Sequence, residues 1–94
     1  MLLTLKQYYP YVANNGKNKY YIITNEGKKI YFGQYGASDY TIHKDPERKL
    51  RYLKRHSNED WYNFDKAAAW SRWLLWNKPT IKASYIDIKR RFIF

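Results

Sequence analysis

The stretch "YYPYVANNGKNKYYIITNEGKKIYFG", residues 8–33, decides the fold class. It is dense in Tyr, Ile and Val, side chains that fit a pleated, half-buried surface. Two turn signals cut it. Asn15-Gly16 suits a tight hairpin turn in which both central residues take positive φ, and Asn25-Glu26-Gly27 suits a three-residue loop with Gly in the left-handed position. These signals predict an antiparallel meander of about three strands, at residues 7–12, 19–24 and 28–32. Pro10 has no N–H for a ladder, so it breaks the first strand or places it at an edge.

Past Gly33 and Gly36 the pattern turns helical. Asp45-Pro46-Glu47 is a helix start: Asp accepts from a free backbone N–H, Pro fits the first turn, and Glu favours the positive end of the dipole. That helix is expected to run to about His56, with Leu50 and Leu53 on its core side. Asp65 is expected to open a second helix over 66–76, stopped at "NKP" because Pro79 disfavours helix in the residue before it. Thr80 can cap a third, in which Ile81, Tyr85, Ile88 and Phe92 form one apolar stripe. The fold class is therefore α+β: a small antiparallel β-meander within about residues 7–36, followed by three helices within about 45–92 packed on one face. With no repeat and no Pro/Gly/Ser linker, residues 1–94 read as a single domain.

Composition narrows the function. The chain has no cysteine, so neither disulfides nor thiolate-held metals support so small a core. Aromatics make up 20% of it, with eleven Tyr and four Trp, whose large rings keep a polar edge. A formal charge of +10 and a pI near 9.8 predict attraction to polyanions, whether nucleic acid, acidic protein surface or anionic membrane. No window approaches the ~18 apolar residues of a membrane span. The opening "MLLTLKQYYP" lacks a small-residue cleavage site, so a signal peptide is not expected.

"DYTIHKDPERKLRYLKRH", residues 39–56, holds both histidines. His43, Asp45, His56 and Glu59 combine imidazole and carboxylate, groups that hold a divalent ion or activate a water. A straight helix would put the two histidines roughly 15–20 Å apart, too far to share an ion. Asp45 and Glu47 already serve the helix start, and His56 suits the negative end of the dipole. Gly33-Gln34-Tyr35-Gly36 is too short for a dinucleotide fingerprint. No catalytic residue, metal or cofactor is assigned; a small metal-dependent nuclease or hydrolase built on those four residues is the enzymatic alternative.

Charge is the stronger signal. Lys44, Arg48, Lys49, Arg51, Lys54 and Arg55 surround the first helix, and Arg48, Arg51 and Arg55 make a coherent stripe at i, i+3 and i+7. Lys89, Arg90 and Arg91 add a second basic edge. Both are candidate contacts for phosphates or acidic partners. Base-specific reading is not expected, because this helix carries no Asn or Gln to pair with adenine. In "WSRWLLW", residues 70–76, Trp70, Trp73 and Leu74 are expected in the core and Arg72 on another side. Trp76 and Trp61 are left as interface aromatics.

"GKKIYFG", "SDYTIHKDPERKLRYLKRHSNEDW", "WSRWLLWNKPTIKAS" and the closing "KRRF" resemble a family of small, uncharacterised basic proteins encoded mainly by large double-stranded DNA viruses of the phycodnavirus and mimivirus type. The likeness covers roughly residues 19–94. It departs between Trp61 and Trp70, where the family carries a short Gly-containing segment and this chain has "YNFDKAAA". The resemblance implies a viral origin and carries over no catalytic residue. With the charge and the aromatic load, it leads us to expect a non-enzymatic minor capsid or virion-associated protein. Its partners would be acidic surfaces of other virion proteins or packaged DNA, in the virion or in the cytoplasm or nucleus of an infected cell. The alternative is a nucleic-acid-binding protein of viral replication or transcription.

Overall fold

A computed structural model of the chain describes residues 5–92; residues 1–4 of the opening apolar patch and the last two residues, 93–94, lie outside them. Three strands, β1 (Tyr11–Val12), β2 (Asn18–Ile23) and β3 (Lys29–Gln34), form an antiparallel meander in sequence order. The first strand is shorter than its expected span of 7–12. Pro10 offers no N–H, and Tyr8 takes a left-handed φ of 54°, so regular pairing is confined to Tyr11–Val12, with Tyr8 N donating further back to Ile23 O at 2.8 Å.

The two loops behave differently. After β2, Thr24 closes the expected loop: its carbonyl accepts from Gly27 N and its hydroxyl from Lys28 N, with Gly27 at φ +81°. Before β2, only Gly16 of the Asn15-Gly16 pair has positive φ. Asn15 instead turns its side chain inward, and its Oδ1 accepts from Lys17 N at 3.0 Å and Asn18 N at 2.9 Å. A wider loop held by an Asn side chain replaces the expected tight turn.

A short helix, α1 (Tyr40–His43), precedes the expected one. Asp39 caps it, and it ends at Lys44 with φ 56°. Four residues are too few to show a helical period, so the sequence pattern does not reveal it. Next comes α2 (Pro46–Arg55), capped as expected by Asp45, whose Oδ1 accepts from Glu47 N at 3.0 Å. Its inward face is not the expected one: Leu50 is 65% exposed and Leu53 only half-buried, while Tyr52 is buried. The reason is its neighbour. The Tyr52 ring lies flat on Trp76, with centroids 4.3 Å apart and planes 2° apart.

The third helix, α3, starts as an α-helix at Ala67–Trp70 and widens into a π-helical segment at Ser71–Leu75, where Trp76 N donates to Ser71 O at 3.2 Å. Asp65 does not cap it; Lys66 holds that position without a side-chain bond, and Asp65 instead accepts from the Tyr8 hydroxyl. The wider turn places three successive residues, Trp73, Leu74 and Leu75, in the core. Finally, α4 (Ile81–Arg91) is capped by Thr80, whose Oγ1 accepts from Ala83 N at 3.1 Å.

Period-two alternation sends Tyr20, Ile22, Ile30 and Phe32 to the inner sheet face. There α3 packs on β3, and α4 packs on the π segment with Ile88 fully buried. Ile81, Tyr85 and Phe92 of the predicted stripe flank that core. Phe32, Phe64 and Phe92 ring Trp70 and Trp73 at centroid distances of 5.2–5.9 Å, and Phe64 and Phe92 lie 4.7 Å from each other. Both indole N–H groups are satisfied: Trp70 donates to Phe64 O and Trp73 to Trp61 O, each at 2.8 Å.

Candidate functional site

The exposed edge of α2 is built by its own periodicity. Arg48, Arg51, Lys54 and Arg55 all reach solvent, and none takes part in the ion pairs found among the described residues. Leu50 stands exposed among them, so the edge is cationic with one apolar spot.

Other predicted contact residues do different work. Lys44 Nζ donates to Thr41 O at 2.7 Å and to Pro79 O at 2.9 Å. Lys49 Nζ donates to Asn77 O at 2.7 Å and lies 5.0 Å over the Tyr40 ring. Burial, helped by Arg72 and Lys78, pulls the Lys49 ammonium below its ordinary value. These two lysines clamp the α1–α2 region to the segment between α3 and α4, so they are structural cations. The second basic edge is partly neutralised. Buried Asp87 accepts from Arg91 Nε at 2.7 Å, from Arg90 Nη2 at 3.3 Å and from Asn77 Nδ2 at 2.8 Å. Burial alone would raise the Asp87 carboxyl, but these three donors outweigh it and hold the group at about 2. Lys89 is exposed on the same turn.

The histidines meet one aromatic column from opposite ends. His43 lies 5.3 Å from Trp76, Trp76 stacks on Tyr52, and Tyr52 stacks on His56 at 4.3 Å. His43 Nδ1 accepts from Asp45 N at 3.0 Å, which makes the ring neutral with its proton on Nε2. That Nε2 is buried and has no partner among the described residues. Burial, with Arg48 nearby, lowers the His43 value, and Asp45 and Asp39 offset this in part. At the other end His56 Nδ1 is 2.7 Å from Glu59 Oε2. Burial, then the Glu59 charge, pushes the Tyr52 phenol up to about 12. Among the described residues no three His, Cys, Asp or Glu side chains come together as a metal site.

Between α2, α3 and the end of β3 runs a cleft of about 560 Å³, lined by Lys19, Asp39, Arg55, His56, Glu59 and Ser71 among others. Its buried ion pair, Lys19 with Asp39, escapes sequence reading because the partners are twenty residues apart. Asp39 is already engaged, accepting from Lys19 Nζ, Thr41 N and Thr41 Oγ1. The cleft therefore offers one guanidinium and one imidazole–carboxylate pair, chemistry that can hold an anion or accept a proton.

The two interface tryptophans are used in packing instead. Trp76 is the middle of the column described above. Trp61 is half-buried under the Arg72 guanidinium, 5.3 Å from its ring centre, and its Nε1 is buried without a partner among the described residues. Arg72 itself lies 4.2 Å over Trp73 and donates to Trp76 O at 2.9 Å, and burial lowers its value. Among the described residues the exposed aromatics are tyrosines: Tyr31, Tyr35 and Tyr62. Among the described residues no helix is long and apolar enough to cross a membrane.

No curated protein and no solved structure matches the chain. Residues 11–56 match the model of a family of unknown function (DUF5754), a span that takes in the sheet, α1 and α2 and stops short of the helices that fill the core.

Proposed function

We propose that this protein is a non-enzymatic binding and structural module, a minor capsid or virion-associated protein of a large DNA virus, whose α2 edge meets a polyanionic partner. The observation that carries the reading is that Arg48, Arg51 and Arg55 are exposed and take part in none of the ion pairs found among the described residues. Three guanidiniums along about 10 Å of helix match phosphates or a run of acidic side chains, each contact releasing a counterion. The sequence likeness to viral proteins supports the particle setting. The His56–Glu59 pair does not favour a hydrolase, since the other carboxylate of the cleft, Asp39, is already held by Lys19 and Thr41.

Salt-dependent binding to duplex DNA and to a polyglutamate surface tests the contact. The Arg48→Gln/Arg51→Gln/Arg55→Gln variant is expected to lower the slope of log affinity against log salt on DNA by about 2–3. An unchanged slope and affinity on both polyanions rejects the edge. Mass spectrometry of purified particles tests the location, and absence of the protein there removes the virion role. A second reading, a nucleic-acid-binding protein acting outside the particle, is favoured by the tyrosines of the outer sheet face.

A further inference from the structure

Tyr11, Tyr21 and Tyr31 stand one on each strand and in register, on the sheet face opposite Ile22 and Phe32. Their ring centroids are 5.6 Å and 5.5 Å apart. The row continues through Tyr9, 5.0 Å from Tyr11, to Tyr85 of α4, 5.2 Å from Tyr9. Lys29 Nζ lies 4.9 Å over the Tyr21 ring and Lys6 Nζ 5.6 Å over Tyr9. We infer that this row is a stacking platform for single-stranded nucleic acid, taking bases on the tyrosine rings and phosphates on Lys6 and Lys29. It uses none of the α2 residues and stands independently of the reading proposed for them.

Cross-strand Tyr pairs stabilise a sheet by themselves, so the row alone decides nothing. The lysines decide. Lys6 and Lys29 are themselves exposed, so the Tyr9 and Tyr21 faces they cover are reached from solvent and are electron-rich. A base makes a stronger contact there than an exposed cation does, and the displaced ammonium is then free to reach the phosphate. Charge agrees: residues 11–34 hold four lysines, of which only Lys19 is paired, with Asp39, among the described residues, and a single acid, Glu26. Ring spacing follows the ~4.8 Å strand separation, which successive splayed bases of an extended strand can meet. A duplex keeps its base faces inside its own stack. A second copy of the chain in a two-fold contact would bring two lysine-bearing faces of the same sign together.

The test compares fluorescein-labelled dT12 with a duplex of equal length by anisotropy over a salt series, using the full chain. Single-strand preference is expected. The Tyr21→Thr/Tyr31→Thr variant, which keeps β-formers, should lose dT12 affinity by about tenfold or more, with duplex affinity and salt slope unchanged. Photocrosslinking of the wild-type protein to a 5-iodouracil oligonucleotide avoids any question of folding, and adducts are expected on Tyr11, Tyr21 or Tyr31. Adducts confined to α2, equal affinity for dT12 and duplex, or a dimer that the tyrosine variant dissolves would each overturn the inference. The triple arginine variant should retain the dT12 preference. If it does while duplex binding proves independent of those arginines, the α2 reading falls and this one stands.

Discussion

Replacing Asp87 by Asn probes how the last helix is tied to the chain before it. Asp87 is 2% exposed, and its carboxylate takes bonds from Asn77, Arg90 and Arg91. Asn77 is itself 5% exposed, so its amide depends on this acceptor. The folded carboxyl, at about 2, lies below its unfolded value. Folding therefore favours the ionised form, and the contribution is complete above about pH 4. It is lost as pH falls through the folded value of about 2. A depression of nearly two units corresponds to at most 2–3 kcal/mol, and because both guanidiniums are half or more in water we take about 2 kcal/mol. In a chain of this size that is roughly 10 °C in melting temperature. Asn keeps the shape but loses the charge and turns an N–H2 toward donors. Urea unfolding of wild type and Asp87→Asn from pH 7 to pH 2 reads the effect. The variant should be less stable by about 2 kcal/mol at pH 7, with the gap closing between about pH 4 and 2. A gap that stays constant down to pH 2 refutes the assignment to the carboxylate charge, and no gap at pH 7 refutes the network.

Three further outcomes follow from the packing. Gly33→Ala should be worse than Gly16→Ala by about 1–2 kcal/mol: both have φ near +75°, but a Cβ at Gly33 would lie 2.9 Å from Leu75 Cδ1 and at Gly16 would meet nothing. Equal destabilisation in denaturant titrations would contradict this. Trp76→Ala should cost about 2–3 kcal/mol and speed amide exchange in α2 more than in the sheet, since the Tyr52–Trp76 stack is what docks that helix. His43 should titrate below the usual imidazole range by NMR, because its protonated ring is buried and would lose the bond from Asp45 N. Its neutral form is favoured by folding, so the stability it contributes is present above about pH 6.5 and fades as pH falls below that.

Features set by neighbours a few residues apart were legible in the chain. Thr24 to Lys28, the Asp45-Pro46-Glu47 start, the Thr80 cap and the stripe from Ile81 to Phe92 all arise from contacts within one turn or one loop. So did the arginine edge, because i, i+3 and i+7 share a helix face wherever that helix is placed. The partial neutralisation of Arg90 and Arg91 was legible too, in Asp87 at i−3 and i−4, a pairing that attention to net charge passes over.

What only the tertiary structure decided is which surfaces meet. Leu50 is more apolar than Tyr52, yet Tyr52 is buried, because the flat partner waiting there is Trp76, twenty-four residues on. The π turn that aims Trp73, Leu74 and Leu75 inward, the Lys19–Asp39 pair and the inward reach of Lys44 and Lys49 likewise depend on elements remote in sequence. Hydrophobicity sets how much must be buried; shape and hydrogen-bond partners, known only once the elements are assembled, set which side chain is buried and which cations are left in solvent.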